Sequence, residues 1–263
     1  MNFISEHDEA DAFGLVEALV LDGAGSARRI SREQIDDLQL GSQETLWLHW
    51  DRSHPQAQQW LREASGLSEF ACNLLLEEGT RPRIVQPEKH QLLLFMRGVN
   101  LNPDAEPEDM VSLRIFADER RVISLRMRRL RARAEVAAEF EEGKGPANSQ
   151  SLVLRLADLM TGKIQPLVTE LSELVHTQDE QIELDDNYAP DHSKMVAAKR
   201  RSASLRRFLA PQRDIFFEMA REKLEWFVGD QAKDWSELGN SLTRHLEELE
   251  LIRERVGLVL ESE

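Results

Sequence analysis

The stretch "RRFLAPQRDIFF", from Arg206 to Phe217, places a proline inside a segment that otherwise favours a helix. Pro211 removes one backbone hydrogen bond and clashes with the carbonyl of Arg207, which costs about 3 kcal/mol in a free helix interior. Such a proline persists where packing holds the bend. The arginines of this stretch could reach freed carbonyls or carboxylates on a neighbouring helix, and its phenylalanines supply apolar contacts. We therefore predict a kinked helix that packs against other helices.

Helical spacing extends in both directions from this stretch. Apolar residues recur in steps of three and four from Leu152, with an interruption at Pro166, and a similar seam follows near the end of the chain. The seam consists of Trp235, Leu238, Leu242, His245, Leu249, Ile252, Val256 and Val259. We predict a helix pair over about 150–184 and 191–228 and a stalk helix over about 234–263. In this pattern Gly239 and Gly257 weaken the seam.

The residues before about 149 carry strand signals between shorter helices. "TLWLHWD" (Thr45 to Asp51) alternates as a strand does, and "GLVEALVLDGAGSARRI" is typical of a hairpin that turns at Asp22-Gly23. "SHPQAQQWLREAS" predicts a helix with Ser53 as N-cap, and "SEFACNLLLEEG" predicts another that Gly79 closes. We predict an α+β fold, with a mixed β-sheet domain flanked by helices over 1–148 and a helical domain over 149–263.

The composition restricts the class of protein. The chain has 263 residues and a formal net charge of −15, and an acidic surface disfavours binding to nucleic acid and attracts cations. The N-terminus lacks a basic region followed by an apolar run, so we expect no signal peptide. No apolar run reaches the roughly 18 residues of a membrane span. These features predict a soluble chain.

Basic residues cluster locally despite the acidic total. The cluster contains Arg114, Arg120, Arg121, Arg126, Arg128, Arg129, Arg131 and Arg133. It is either an anion or RNA patch, or a strand and helix with a solvated basic face. The second interpretation is favoured because no aromatic residues are interleaved for base stacking. The single cysteine, Cys72, lies in an apolar helical run, which favours a buried core residue over a nucleophile.

No catalytic motif is present. The chain lacks the G-x-S-x-G elbow, the phosphate loop and the dinucleotide fingerprint, so we predict no enzymatic activity and no required cofactor. His49, Asp51 and His54 could hold Zn²⁺ with an outside ligand, but a strand end with surface histidines is the favoured interpretation. His245 and Glu248 are i,i+3 neighbours on the predicted stalk helix and are our candidate metal ligands. A histidine beside the seam and a solvated glutamate would give the same pattern.

Four segments resemble the zinc-transporting ZntB branch of the CorA metal ion transporter family. "RRFLAPQRDIFFEMAREKLEW" is similar to its R-R-x-x-A-P-Q-R-D segment, and "WLHWDRSHPQAQQWL" to its W-L-H strand followed by a Q-W-L helix. "EEGTRPRIV" resembles its S-T-R-P-R strand entry, and "EFEEGKGP" its L-E-E-G-x-G-P break. The segments occur in the same order and cover nearly the whole chain.

This resemblance implies the cytoplasmic domain of a pentameric divalent cation transporter at the inner membrane, with zinc as the transported ion. In the family, five subunits form a funnel below a pore whose entrance carries G-M-N or G-V-N. Neither tripeptide nor a transmembrane segment occurs here, so we expect the chain to stop within the stalk helix. The alternatives are a CorA-type magnesium or cobalt transporter domain and a soluble helical adaptor.

The resemblance also implies a homopentamer as the partner arrangement. We expect the seam from Trp235 to Val259 to supply the contact between subunits. On this view Leu242→Asp or Leu249→Asp would weaken the assembly. The lumen potential cannot be assigned from the sequence, because the exposure of the stalk arginines depends on how the helix is rotated.

Overall fold

A computed structural model describes residues 9–185, 188–227 and 229–261. Within this part of the chain, seven strands form one mixed β-sheet. They are β1 (Leu15–Leu21), β2 (Ala27–Arg29), β3 (Thr45–Asp51), β4 (Arg83–Val85), β5 (Leu92–Gly98), β6 (Val111–Ala117) and β7 (Arg121–Arg126). Their order across the sheet is β2-β1-β3-β7-β6-β5-β4. Neighbouring strands run antiparallel except β3 and β7, which run parallel.

Eight helices accompany the sheet in the described residues. They are α1 (Arg32–Ile35), α2 (Pro55–Glu63), α3 (Glu69–Leu76), α4 (Arg131–Glu141), α5 (Ser149–Gly162), α6 (Ile164–Leu184), α7 (His192–Arg221) and α8 (Ala232–Glu261). All of the strands precede residue 127, and the chain after it is helical wherever it is described outside loops. The predicted α+β class is confirmed.

The sheet has a hydrophobic core on each face. On β3, Leu48 and Trp50 belong to the core shared with α2 and α3, and Trp50 stacks on Trp60 with ring centroids 4.6 Å apart. Trp47 points to the opposite face and joins the core formed with helices α4 to α8. Because both faces are covered, the alternation in "TLWLHWD" separates two cores rather than a core from solvent.

Two short helices depart from the predicted boundaries. α2 begins at Pro55, so its N-cap is His54 and not Ser53; His54 Nδ1 accepts a hydrogen bond from Gln56 N at 3.3 Å. α3 ends at Leu76, because Glu77 is already extended (φ −57°, ψ 142°). Gly79 therefore lies in the loop beyond the helix, at φ +66°.

The two prolines of the helical part occupy different positions. The prediction of one helix over about 150–184 is wrong, because the structure has two helices, α5 and α6, divided at Lys163. Pro166 falls in the first turn of α6, where a backbone N–H has no helical acceptor. Pro211 lies inside α7, as predicted. The kink at Pro211 stays a prediction. α7 ends at Arg221, earlier than the predicted limit at 228, which is outside the described residues.

The seam of α8 packs inside its own chain. Its members are buried, from Trp235 to Val259, and they belong to the core shared with α6 and α7. Trp235 contacts Phe216 of α7 with ring centroids 5.6 Å apart. The expectation that this seam joins subunits is therefore wrong. Apolar spacing predicts a packed face but does not say whether the partner helix is in the same chain.

Gly239 allows α7 and α8 to approach closely. A Cβ at this position would lie 2.7 Å from Cε1 of Phe217, which is shorter than an ordinary van der Waals contact. The expectation that Gly239 weakens the seam is thus wrong, because the packing requires a residue without a side chain there.

The sheet and helices meet at the loop between α4 and α5. Gly145 N donates to Gly25 O at 2.8 Å, which ties this loop to the β1–β2 turn. Before this loop the chain contains strands and helices, and after it the elements are helices. The sequence predicted a domain boundary here, between residues 148 and 149. One hydrophobic core nevertheless spans both sides of it. The division into two domains stays a prediction.

Candidate functional site

Helix α7 is joined to the sheet by the residue that follows Pro211. Gln212 is buried, its Oε1 accepts from Arg97 N at 2.7 Å, and its Nε2 donates to Arg97 O at 3.0 Å. β4 pairs with β5 only from Leu93 to Phe95, so the Gln212 amide takes the place of the next strand residue at Arg97. This part of the motif around Pro211 thus connects the helices to the sheet edge.

The sequence suggested that the arginines around Pro211 reach carboxylates on a neighbouring helix, and one of the three does so. Arg206 forms an ion pair with Glu250 on α8, so it links the two long helices. Arg213 pairs with its neighbour Asp214, with Nε and Oδ1 3.0 Å apart. Arg207 lies 5.6 Å from the ring centre of Phe208.

The three residues of the first candidate metal group, His49, Asp51 and His54, each bond to a different neighbour. His49 is fully buried, and its Nδ1 lies 2.7 Å from Ser124 Oγ. Burial, followed by the charges of Arg126 and Arg133, lowers the pKa of His49 well below its ordinary value. Asp51 Oδ1 accepts from Ser53 N at 2.9 Å, and His54 caps α2. Each of these residues therefore has a structural role in the strand end or the following turn.

The second candidate pair, His245 and Glu248, lies on α8, where His245 is a member of the buried seam. His245 is buried, with Nε2 3.5 Å from Ser241 Oγ and no partner for Nδ1, while Glu248 is half-buried. Burial, and then the charge of Arg244, lowers the pKa of His245. Among residues 9–185, 188–227 and 229–261, no three His, Cys, Asp or Glu side chains come together as a metal site. Metal binding by His245 and Glu248 stays a prediction.

Two further sequence features have structural explanations. Cys72 is buried as predicted, its Sγ lies 3.3 Å from Leu61 O, and burial raises the pKa of its thiol. In the Gly-rich turn, Asp22 Oδ1 accepts from Ala24 N at 2.7 Å and from Ser26 N at 3.0 Å. The hairpin between β1 and β2 is confirmed.

The arginine cluster is not a uniformly solvated face. Arg114, Arg126 and Arg133 are only 2–3% exposed. Arg133 pairs with the buried carboxylate of Glu17 at 2.8 Å. The expectation of a solvated face is wrong for these three residues. Arg114 on β6 and Arg126 on β7 cannot reach solvent because both faces of the sheet are covered, and Arg133 on α4 is turned inward to the buried Glu17. The surrounding strand and helix were predicted correctly.

The outer side of α8 carries a second seven-residue repeat. Its exposed positions alternate in steps of four and three: Asn240, Arg244, Glu247, Leu251, Glu254 and Leu258. Leu251 and Leu258 are 56% and 66% exposed, which is unusual for leucines on one helix face. We call this stripe the outer face of α8. Its spacing is visible in the sequence, but the stronger apolar seam on the opposite side concealed it.

None of the helices in the described ranges combines the length and apolar character needed to cross a bilayer.

Comparison with known proteins gives matches that cover most of the chain. Residues 42–262 match the family described as CorA-like Mg2+ transporter protein. The divalent cation transporter CmaX of Pseudomonas aeruginosa is 52% identical over 257 residues, which cover 98% of this chain and 77% of CmaX. The structure of full-length CmaX has a TM-score of 0.91 at 53% identity and covers 96% of this chain and 77% of that one. The ZntB cytoplasmic domain from Vibrio parahaemolyticus RIMD 2210633 has a TM-score of 0.78 at 26% identity, covering 94% and 96%.

The fold and these matches define a class of metal ion transporter rather than an enzyme. The chain belongs to the CorA-like Mg2+ transporter family. The predicted family is confirmed, but the assignment to its ZntB branch is not, because identity to CmaX is about twice the identity to the ZntB domain.

Proposed function

We propose that this chain is the cytoplasmic domain of a homopentameric divalent cation transporter at the inner membrane, where it forms a funnel that leads ions to or from a pore. The observation that carries the proposal is the 52% identity to CmaX, a divalent cation transporter, over 98% of this chain. CmaX also contains a portion without counterpart here, since the match covers 77% of it. The pore is assigned to such a portion.

The outer face of α8 supports assembly. It leaves two leucines exposed one heptad apart, between charged residues of both signs. A lengthwise contact between such helices would bury both leucines. Within the described chain the inner seam is already occupied, so the outer face is the side of α8 left for a neighbouring subunit.

For the transported ion we propose zinc, with magnesium as the second candidate. Zinc is supported by the ZntB-like segments around Pro211, His49 and Gly143. Magnesium is supported by the family match, whose description names Mg2+. Neither ion has a closed set of three ligands in the described part of the chain.

Ion uptake into proteoliposomes tests the proposal. The protein encoded by the complete gene is reconstituted, the vesicles are loaded with a zinc-sensitive or a magnesium-sensitive dye, and each cation is added outside. We expect zinc entry that exceeds entry into empty vesicles. Magnesium entry without zinc entry would assign the CorA-type alternative. Entry of neither ion under any gradient would contradict the transporter proposal.

A further inference from the structure

A cleft between the sheet and α7 contains an unusual concentration of arginines. It has a volume of about 550 Å³, which is within the range of small-molecule sites. Five arginines line it. They are Arg52, Arg97 and Arg114 from three strands or strand ends, Arg128 from the loop after β7, and Arg207 from α7. The proposed transport function uses none of these side chains.

Three of the arginines bind only backbone carbonyls and one sulfur atom. Arg114 Nη1 donates to Leu75 O at 2.7 Å, and Arg52 Nη1 donates to Leu76 O at 3.1 Å. Arg52 Nη2 also contacts the sulfur of Met127. Arg97 donates through Nη2 to Thr80 O at 2.6 Å and through Nη1 to Met110 O at 3.2 Å. These bonds satisfy loop and helix-end carbonyls but neutralise no charge.

The cleft therefore contains an excess of positive charge, with five arginines against the two carboxylates of Glu108 and Asp109. Within residues 9–185, 188–227 and 229–261, none of its five arginines forms an ion pair with a carboxylate, and the buried Nε of Arg114 has no hydrogen-bond acceptor. The charges of Asp51 and Glu78 act on Arg52, and that of Glu77 acts on Arg114, without direct contact. Arg114 is only 2% exposed. Burial, followed by repulsion from Arg52 and Arg97, lowers the pKa of Arg114 to about 10. Burial, and then Arg52 and Arg207, also lower the pKa of Arg97.

Two carboxylates at the cleft offset only part of the charge of its five arginines. Glu108 already pairs with Arg201, whose Nε lies 3.2 Å from both carboxylate oxygens. Asp109 lines the cleft without an ion pair in the described chain. Burying a cation without a counter-ion costs free energy, and several cations close together repel one another. A bound anion would reduce both the cost of burial and the repulsion.

We propose that this cleft binds a multiply charged oxyanion, namely inorganic phosphate or the phosphoryl group of a small metabolite. Guanidinium groups form paired hydrogen bonds with phosphate oxygens, and a doubly negative group neutralises more of the excess positive charge than a single carboxylate does. Phe208 adds an apolar wall and lies 4.9 Å from the Arg97 guanidinium. The net charge of −15 provides no long-range attraction for such a ligand, so binding depends on the local cluster.

Isothermal titration of the 263-residue chain with inorganic phosphate at constant ionic strength tests the proposal. The informative variant is Arg207→Gln, because Arg207 is exposed and its side chain has no hydrogen-bond partner among the residues that the structure describes. We expect it to weaken phosphate binding by about five- to tenfold. Arg213→Gln is the matched control: it removes one charge from the same helix outside the cleft, and phosphate affinity should stay unchanged.

Further ligands distinguish the sources of the phosphoryl group. ATP that competes with phosphate and binds more tightly would indicate a phosphorylated metabolite, whereas phosphate binding without competition by ATP would indicate the free ion. Three results would overturn the proposal: no phosphate binding at concentrations on the order of 10 mM, equal losses in the Arg207→Gln and Arg213→Gln variants, or acetate binding as strong as phosphate binding.

Discussion

At the scale of single residues, Gln212 connects two parts of the chain that are 115 positions apart. Its amide has both a donor and an acceptor, so it can satisfy the N–H and the C=O of Arg97 at once. Pro211 precedes it and cannot donate a backbone hydrogen bond, which leaves the carbonyl of Arg207 without its usual helical partner. The close helix–sheet contact at Gln212 accounts for how the structure accommodates a proline inside α7.

We predict that Gln212→Met destabilises the protein by about 1–3 kcal/mol. Methionine keeps most of the volume but cannot pair with the two backbone groups of Arg97, so both lose a buried partner. Denaturant unfolding measures the loss. Gln59→Met, at an exposed position of α2, is the control and should change stability little. Equal stability of both variants would show that the Gln212 bonds contribute nothing.

His49 is a buried imidazole beside Ser124, which also accepts a hydrogen bond from Trp47 Nε1 at 2.9 Å. Its pKa is lowered by burial first and by two arginines next, so the folded state keeps the ring neutral. The unfolded state takes up a proton near pH 6.5. The unfolded state therefore binds more protons below this pH, and stability must fall as the pH decreases through it.

We predict that the free energy of unfolding falls between pH 7.5 and pH 5.5, and that His49→Asn reduces this fall by on the order of 1 kcal/mol. Asparagine can still pair with Ser124 but takes up no proton. Chemical unfolding at both pH values gives the comparison, with His176→Gln on the exposed side of α6 as a control. An undiminished fall in the His49→Asn variant would contradict the prediction.

At the scale of elements, α8 has two faces with different partners. The inner seam contacts α6 and α7, and the exposed outer face does not contact them. Leu242 and Leu249 are fully buried in the inner seam, so an aspartate at either position would place an unpaired charge in the core. Their substitution would unfold the chain rather than separate subunits.

We predict opposite effects for the same change at the two glycines of α8. Gly239→Ala should destabilise by about 1–3 kcal/mol, because the new methyl group overlaps the Phe217 ring. Gly257→Ala should stabilise by up to about 1 kcal/mol, since nothing lies within 4 Å of the added carbon and alanine favours a helix. Thermal unfolding of the two variants is sufficient, and a stabilised Gly239→Ala variant would refute the close approach.

At the scale of the whole molecule, the position of exposed leucines indicates how subunits meet. We predict that the chain forms a concentration-dependent pentamer and that Leu251→Asp or Leu258→Asp dissociates it without unfolding, because both side chains are on the outer face of α8. Light scattering measures the mass, and circular dichroism confirms that the fold is retained. Five acidic subunits repel one another, and salt screens this repulsion. The pentamer should therefore become more stable as the salt concentration increases.

Leu184→Asp is the matched control for assembly. Leu184 is 79% exposed, and it lies at the end of α6 and is not a member of the outer face of α8. Its substitution should leave the mass unchanged. A wild-type mass near one subunit at high protein concentration and high salt would contradict the pentamer, and a stable dimer would favour the adaptor alternative.

Local patterns in the sequence were sufficient for most elements of the fold. Alternation predicted β3, and steps of three and four predicted α5 to α8, because backbone geometry sets both periods within a few residues. The motif around Pro211 indicated the family, and the family match confirms it. Pro55 correctly indicated the first turn of a helix, whereas the interruption at Pro166 was not recognised as the start of α6.

Partners across the chain could not be inferred in this way. The pairing of Gln212 with Arg97, the burial of Arg114 and the side of α8 that meets α7 each depend on residues far apart in sequence. A periodic pattern shows that a face is buried but not what buries it, and an arginine in a strand is solvated or buried according to whether a second layer covers the sheet. The arginine cleft exists for the same reason, since tertiary packing alone brings β3, β5, β6 and α7 together around it.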